Sequence, residues 1–188
     1  MQEKQQRLFD AAQDIFQELG FKKTNIAKIT QRAGVAVGTF YRFYNSKEEI
    51  FLEVYQTENE RIKQAVLEDN DLTEDPHVLL PKIMKELMQK ATNSLVLQAW
   101  YVNPKLKQLI ADDPATQEDY LYSTLLQLIE QWQKRDLIQN DMTIDRVRQL
   151  FEAVMVIDNH QDELPVGDFE QLMNDLIEGI LQRILKEP

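Results

Sequence analysis

The sequence predicts an all-α fold. Three observations carry that expectation. Apolar residues recur at helical spacing in almost every segment, no run alternates convincingly with period two, and glycine and proline are sparse, at five and six among 188 residues.

The elements follow in chain order. Leu8, Ala11, Ala12, Ile15, Phe16 and Leu19 make one apolar stripe at i, i+3, i+4, i+7, i+8 and i+11. Gly20 is expected to stop that helix in the left-handed conformation. A second, short helix fits 25–33, with Ile26, Ile29 and Ala33 inward and Thr24 or Asn25 as its N-cap. Gly34 breaks the chain, and a third short helix is read over 36–44. Ser46 and Glu49 have capping-box spacing and open a long fourth helix to about Leu67. Its inner side carries Ile50, Phe51, Val54, Tyr55, Ile62 and Val66. At about 1.5 Å per residue this helix spans roughly 30 Å, and it reads as the only rigid connection between head and body. Further helices are expected at about 77–92, 94–102, 105–111, 115–135, 143–158 and 168–186. Asp112, Asp113 and Pro114 mark one junction, and 159–168 is the longest late loop.

Composition excludes several classes. The chain has no cysteine, so disulfide scaffolds, thiolate nucleophiles and common zinc-finger sets are out. His77 and His160, the two histidines, fall in different regions, and neither a metal nor a cofactor is expected. No nucleophile elbow, Walker loop, dinucleotide fingerprint or paired-histidine motif occurs, so an enzyme is not expected. No apolar run approaches a membrane span, and "MQEKQQRLFDAAQ" lacks the apolar core of a signal peptide. A soluble cytoplasmic protein is the expectation.

Charge is unevenly spread. The net charge is −11, yet residues 1–50 hold eight basic and six acidic residues, leaving 13 basic and 26 acidic for 51–188. Within 22–47 stand Lys22, Lys23, Lys28, Arg32, Arg42 and Lys47, with no carboxylate. Charge alone reads as a solvated face. The local pattern is more specific: short helix, glycine turn, short helix is the helix-turn-helix arrangement. Ile29, Ala33, Val35, Phe40 and Phe43 sit where two crossed helices bury side chains. Val37, Gly38, Thr39, Tyr41 and Arg42 remain outward, a surface suited to a DNA major groove. Arg42 has two readings, a bidentate pair with guanine or a phosphate contact.

The stretch "AAQDIFQELGFKKTNIAKITQRAGVAVGTFYRFYNSKEEIFLEVY", Ala11 to Tyr55, resembles the N-terminal domain of the TetR family of bacterial transcriptional regulators. Its diagnostic run is "AGVAVGTFYRFYNSKEEI". Four positions depart from the family pattern: Ala36 stands for the frequent Ser or Thr, Thr30 for Ala, Tyr44 for Phe, and Asn45 for Pro.

The resemblance implies a helix-turn-helix DNA-binding domain at 1–46 and a helical effector-binding and dimerisation domain at 47–188. It assigns DNA contact to Thr24, Asn25, Ala36, Val37, Gly38, Thr39, Tyr41, Arg42 and Lys47, with Thr24, Asn25, Tyr41 and Lys47 on phosphates. It implies a homodimer on a double-stranded palindromic operator, acting as a repressor released by a small-molecule effector. The alternative keeps the head and gives the body a protein partner, as an activator or co-regulator. The effector pocket is read at Met84, Met88, Trp100, Tyr101, Tyr122, Leu126, Phe151 and Met155, each of which also fits plain core. Two wide late stripes supply the dimer face: Val147, Phe151 and Val154, then Phe169, Leu172, Met173, Leu176, Ile177, Ile180 and Ile184. Packing of both stripes inside one chain is the competing reading.

Overall fold

A computed structural model describes residues 2–111 and 120–186. They form α1 (Gln2–Lys23), α2 (Ile26–Ala33), α3 (Val37–Phe40), α4 (Lys47–Glu68), α5 (Pro76–Thr92), α6 (Leu95–Val102), α7 (Pro104–Ala111), α8 (Tyr120–Lys134), α9 (Ile144–Asn159) and α10 (Phe169–Ile184). A 3₁₀ turn covers Gln161–Glu163. Among the described residues the only extended pairing is an isolated antiparallel bridge between Ile138 and Leu185. The fold is all-α. The helix expected over 115–135 is described from Tyr120 onward; its earlier positions, with Asp112, Asp113 and Pro114, lie outside the described residues.

The described chain groups into two compact units, residues 2–62 with 90–111, and residues 63–89 with 120–186. Both α4 and α5 pass from one unit into the other. The fourth helix is therefore not the only helical connection, because the chain returns after α5 to pack α6 against α1.

In the first unit Leu8, Ala12, Phe16, Ile29, Phe40, Ile50, Phe51 and Val54 share one core with Val96, Ala99, Leu106 and Ile110. Phe51 meets the rings of Phe16 and Phe21 edge-on, at centroid distances of 5.0 and 4.9 Å. This core decides whether the short helices exist. Isolated helices below about 12 residues are marginal in water, and α2 has eight residues and α3 four. Burying a large apolar side chain contributes about 1.5–3 kcal/mol, and Ile29 and Phe40 are both fully buried.

The turns show which local rules held. Gly34 closes α2 at φ 63°, ψ 39°, in the left-handed region. The Arg7 guanidinium donates to the carbonyls of Ala33 and Gly34 and so caps the same helix end from α1. Gly20 has φ 72° but ψ 169°. Its φ is positive as expected; its ψ lies in an extended region essentially restricted to glycine, not in the left-handed helical one. Asn25, and not Thr24, caps α2, its Oδ1 accepting from the Lys28 amide at 2.9 Å. The Thr30 hydroxyl finds partners in the carbonyls of Ile26 and Ala27, at 3.0 and 3.1 Å.

The third helix is shorter than the 36–44 expected. It ends at Phe40, and the next amides close tight turns, Arg42 to Thr39 O and Phe43 to Phe40 O. The Tyr44 amide still reaches Phe40 O at 3.0 Å, but Ala36 provides no side-chain cap, and the intervening bonds are of the tighter i→i+3 kind, so the regular helix stops at Phe40. The capping box is half formed. Ser46 Oγ accepts from the Glu49 amide at 3.1 Å, but the Glu49 carboxylate reaches past Ser46 to the amide N–H of Asn45 at 2.6 Å. A proline at 45 has no such donor.

Glu58 of α4 is buried at 3% exposure. Its carboxylate accepts from Gln17 of α1 at 2.8 Å and from Arg61 at 2.9 and 3.0 Å. Ser94, the N-cap of α6, lies 3.5 Å from the same carboxylate. One buried acid thus joins three helices, with its lone pairs satisfied.

In the second unit Trp132, Phe151, Met173, Ile177 and Leu181 pack with Leu79, Ile83 and Val66. The bridge closes its end: Gln139 donates to Ile184 O and Lys186 to Leu137 O, each at 2.8 Å.

Gly34→Ala tests the turn. A Cβ there lies 2.7 Å from an Arg7 Nη, and the left-handed backbone costs a non-glycine residue about 1–2 kcal/mol. Urea unfolding should therefore show a loss of at least about 1 kcal/mol; an unchanged midpoint discards the account of this turn.

Candidate nucleic-acid interface

The head presents one side of α3 and its following turn outward. Phe40 is fully buried, whereas Val37 is 46% and Tyr41 56% exposed. Ala36, Gly38 and Arg42 are exposed, and Thr39 is half-buried. A Cβ added at Gly38 meets nothing within 4 Å. Nothing in the free chain requires glycine at 38, so the position leaves room for a close approach from outside. Asn25 is exposed at the start of α2, where first-turn N–H groups and the helix dipole favour an anion.

Two predicted residues have internal roles. Thr24 is 3% exposed and its hydroxyl donates to Gly20 O at 2.8 Å. Lys47 Nζ donates to Phe21 O and Thr24 O, both at 2.9 Å, and sits 3.9 Å from the centroid of the Phe21 ring. It thereby caps the carbonyls at the end of α1, leaving one N–H. Burial holds the Lys47 pKa below the usual lysine range, partly opposed by Glu48. Sequence reasoning missed this cap because its partners lie 26 and 23 positions away.

The other cations of the acid-free window divide in the same way. Arg32 makes a two-pronged pair with Glu18 at 2.6 and 2.7 Å and lies 3.8 Å from Asp14. That hydrogen-bonded pairing raises the Arg32 pKa and lowers that of Glu18. Lys28 donates to Lys23 O at 2.8 Å. Among the described residues Lys22, Lys23 and Arg42 have exposed side chains committed to no ion pair or hydrogen bond. Acids outside the window thus neutralise Arg32, and the window's effective charge is smaller than its six cations suggest.

In the second unit the structure separates residues the sequence grouped together. Val147, Phe151, Val154, Met173, Ile177 and Ile184 are buried in that unit's own core. A side chain with almost no accessible surface cannot also face a partner, so these six serve the core first. Phe169, Leu172, Leu176 and Ile180 are half-buried. Gly179 is exposed, with open space around its Cβ position, and Val156 is 58% exposed. Of the pocket residues, Met84 and Leu126 pack against the core half-buried, and Met88 and Met155 are half-buried. The side chains of Trp100, Tyr101 and Tyr122 lie outside the described residues. Desolvation raises the pKa of Asp158, with Lys63 opposing it.

Comparison with known proteins bears on this geometry. Residues 8–54 match the family described as bacterial regulatory proteins, tetR family. The fatty acid metabolism regulator protein of Bacillus subtilis is 30% identical over 66 residues, covering 35% of this chain and 34% of that protein. Across three curated relatives the matched part spans only 34 to 60% of their length. Thermus thermophilus FadR, a TetR-family transcriptional repressor solved with lauroyl-CoA, superposes with a TM-score of 0.64 at 20% identity, covering 97% of this chain and 96% of that one. RolR solved with resorcinol gives a TM-score of 0.66 at 16% identity, covering 99% and 96%. At these identities the solved structures speak for the fold. The helix-turn-helix domain at residues 8–54 belongs to the TetR family of bacterial regulatory proteins, and the all-α chain that carries it has the fold of that family's solved members.

Proposed function

We propose that the chain is a transcriptional regulator that binds a palindromic DNA operator as a homodimer and is released by a small-molecule effector. The observation that carries this reading is the outward face of Val37, Gly38, Tyr41 and Arg42, held over a fully buried Phe40 inside a carboxylate-free window. Affinity comes from phosphate neutralisation and counterion release. Asn25 at the start of α2, the Tyr41 hydroxyl and the remaining N–H of Lys47 take phosphates, with Lys22 and Lys23 adding positive field. Thr24 acts through the backbone turn it stabilises. Arg42 reads a guanine, worth about 1–3 kcal/mol of discrimination. Val37 and Thr39 offer methyl groups to thymine, and Gly38 allows the helix close to the bases. Two copies set their third helices about 34–36 Å apart, one turn of duplex.

Gly38→Ala separates binding from folding. Alanine is favoured over glycine inside a helix by about 0.8–1 kcal/mol, and there is space for it, so the melting temperature should hold or rise. Affinity for duplexes selected from a random pool should fall at least tenfold. Failure to enrich any sequence, or undiminished affinity in the variant, removes the major-groove assignment.

Dimerisation rests on the half-buried Leu172, Leu176 and Ile180 beside the open Gly179. In sedimentation, Leu176→Glu with Ile180→Glu should give folded monomers. A dimer that persists points to a different face.

For the effector, the half-buried Met84, Met88 and Met155 offer adaptable apolar surface. The lauroyl-CoA held by the Thermus thermophilus neighbour makes an acyl thioester the first class to test. Residues 51–188 carry 13 more acidic than basic side chains, which disfavours a polyanionic head group, so the acyl chain has to supply the affinity. Each buried methylene contributes about 0.8 kcal/mol, roughly a fourfold gain in affinity. Release of DNA should then require progressively less acyl-CoA from octanoyl to lauroyl. A flat series, or release by resorcinol alone, excludes the acyl reading.

A further inference from the structure

The turn that launches α3 has little to hold it from within. Gly34, Val35 and Ala36 separate α2 from Val37. The backbone closes this turn with two bonds, Gly34 N–H to Gln31 O at 3.2 Å and Val35 N–H to Thr30 O at 3.0 Å. Ala36 has the extended backbone of an N-cap, at φ −70° and ψ 149°, but no side-chain cap bond. The first amides of α3 therefore lack the side-chain acceptor that Asn25 gives α2 and Ser94 gives α6. A helix of four residues cannot set its own direction.

A side chain from α1 reaches into that gap. One Nη of Arg7 donates to both Ala33 O and Gly34 O, the last two carbonyls before Val35. A Cβ at Gly34 would lie 2.7 Å from the same nitrogen, so the guanidinium lies directly on the turn. The cation goes there although an acid stands one turn along α1: Asp10 is bonded by Gln6 at 2.8 Å instead. At the C-terminal carbonyls of α2 it meets the negative end of that helix's dipole. Two charge-assisted bonds to successive carbonyls fix the direction of the turn as well as its distance from α1.

We propose that Arg7 is a positioning residue for the reading face: from α1 it sets the direction in which α3 leaves the turn, in place of the missing N-cap, and touches no DNA itself. The role presupposes the major-groove assignment of that face under the proposed function. A bidentate pair between Arg42 and a base edge depends on orientation, whereas attraction to phosphates tolerates small rotations. Loss of the Arg7 bridge therefore lowers discrimination between sequences and leaves general affinity for duplex almost intact.

The test uses Arg7→Met, which keeps the stem and removes the donors, and Ala36→Ser, which supplies a local cap, singly and together in the full chain. Without DNA, amide exchange at Val35 and Thr39 should quicken at least about fivefold in Arg7→Met, the scale of a lost cap. Exchange at the buried Ile50 and Val54 should stay level, and adding Ala36→Ser should slow Thr39 again. With DNA, the affinity ratio between a selected and a scrambled duplex should fall at least about fivefold in Arg7→Met, the lower end of what one bidentate base contact supplies. Ala36→Ser should restore most of that ratio, and the salt dependence on scrambled duplex should match wild type. Unchanged exchange at the turn overturns the proposal whether or not the chain binds DNA. An unchanged ratio beside a discriminating wild type overturns it too, as does strict additivity of the two substitutions. A shallower salt slope makes Arg7 a phosphate contact and equally contradicts it. A wild type that prefers no sequence removes the reading face itself, and the positioning role falls with it. If Arg7→Met does not fold, Arg7→Lys, with the charge on a shorter arm, undergoes the same measurements with the same expected directions.

Discussion

A four-residue helix has no stability of its own, and the outward face of this protein depends on one. What holds α3 in place is the burial of Phe40 against the rings and aliphatic side chains of α1, α2 and α4. The ring makes close contacts with Tyr41 and Tyr44 on either side of the tight turn that follows. Because Phe40 is fixed inward, Val37, Gly38, Tyr41 and Arg42 are fixed outward. The proposed reading face is the reverse side of a packing decision. Arg7 and Lys47 hold the ends of the preceding segments in the same way, each donating from one helix to the terminal carbonyls of another.

Electrostatics add a second constraint. A surface meant for phosphates tolerates few carboxylates, and none falls between Lys22 and Lys47. Some of that window's charge is nevertheless used internally, since Arg32 is paired with Glu18 and Lys47 caps α1. On the proposed reading, what remains for a duplex is Lys22, Lys23 and Arg42, with one N–H of Lys47 and the backbone N–H groups at the start of α2. The surplus of acids in residues 51–188 opposes any other approach of DNA. On this reading the charge distribution orients the molecule as well as binding it.

Much of this was legible in the residues. The α1 stripe as far as Phe16, the glycine turn at 34, the cap at Asn25, one of two residues the sequence offers, and the inward positions of α4 follow from short-range rules, and the structure bears them out; Leu19, the last of the stripe, is 37% exposed. The sequence overestimates α3 because its apolar pattern continues to Tyr44, whereas tight i→i+3 turns at Arg42 and Phe43 interrupt the helix and only the Tyr44 amide returns to an i→i+4 bond, with Phe40 O at 3.0 Å. Long-range polar contacts were out of reach: nothing local marks Lys47 as a helix cap, or Glu58 as the acid that joins Gln17 and Ser94. The late stripes show the same limit. Periodicity revealed that α9 and α10 are apolar on a wide face, but not that Val147, Met173 and Ile184 would be consumed by their own unit's core. The departure at Asn45 became intelligible only once its N–H was seen bonded to Glu49.

The central claim is that the head binds a duplex through cations left uncommitted by the fold, and ionic strength probes it most directly. Arg42 being assigned to a base, two heads together bring six cations toward phosphates: the uncommitted Lys22 and Lys23 and the third N–H of Lys47 from each. Fluorescence anisotropy of a selected palindromic duplex, repeated from 50 to 300 mM potassium chloride, should show log affinity falling linearly with log salt, at a slope of about −5 for roughly six neutralised phosphates. An affinity that stays level across that range contradicts the account.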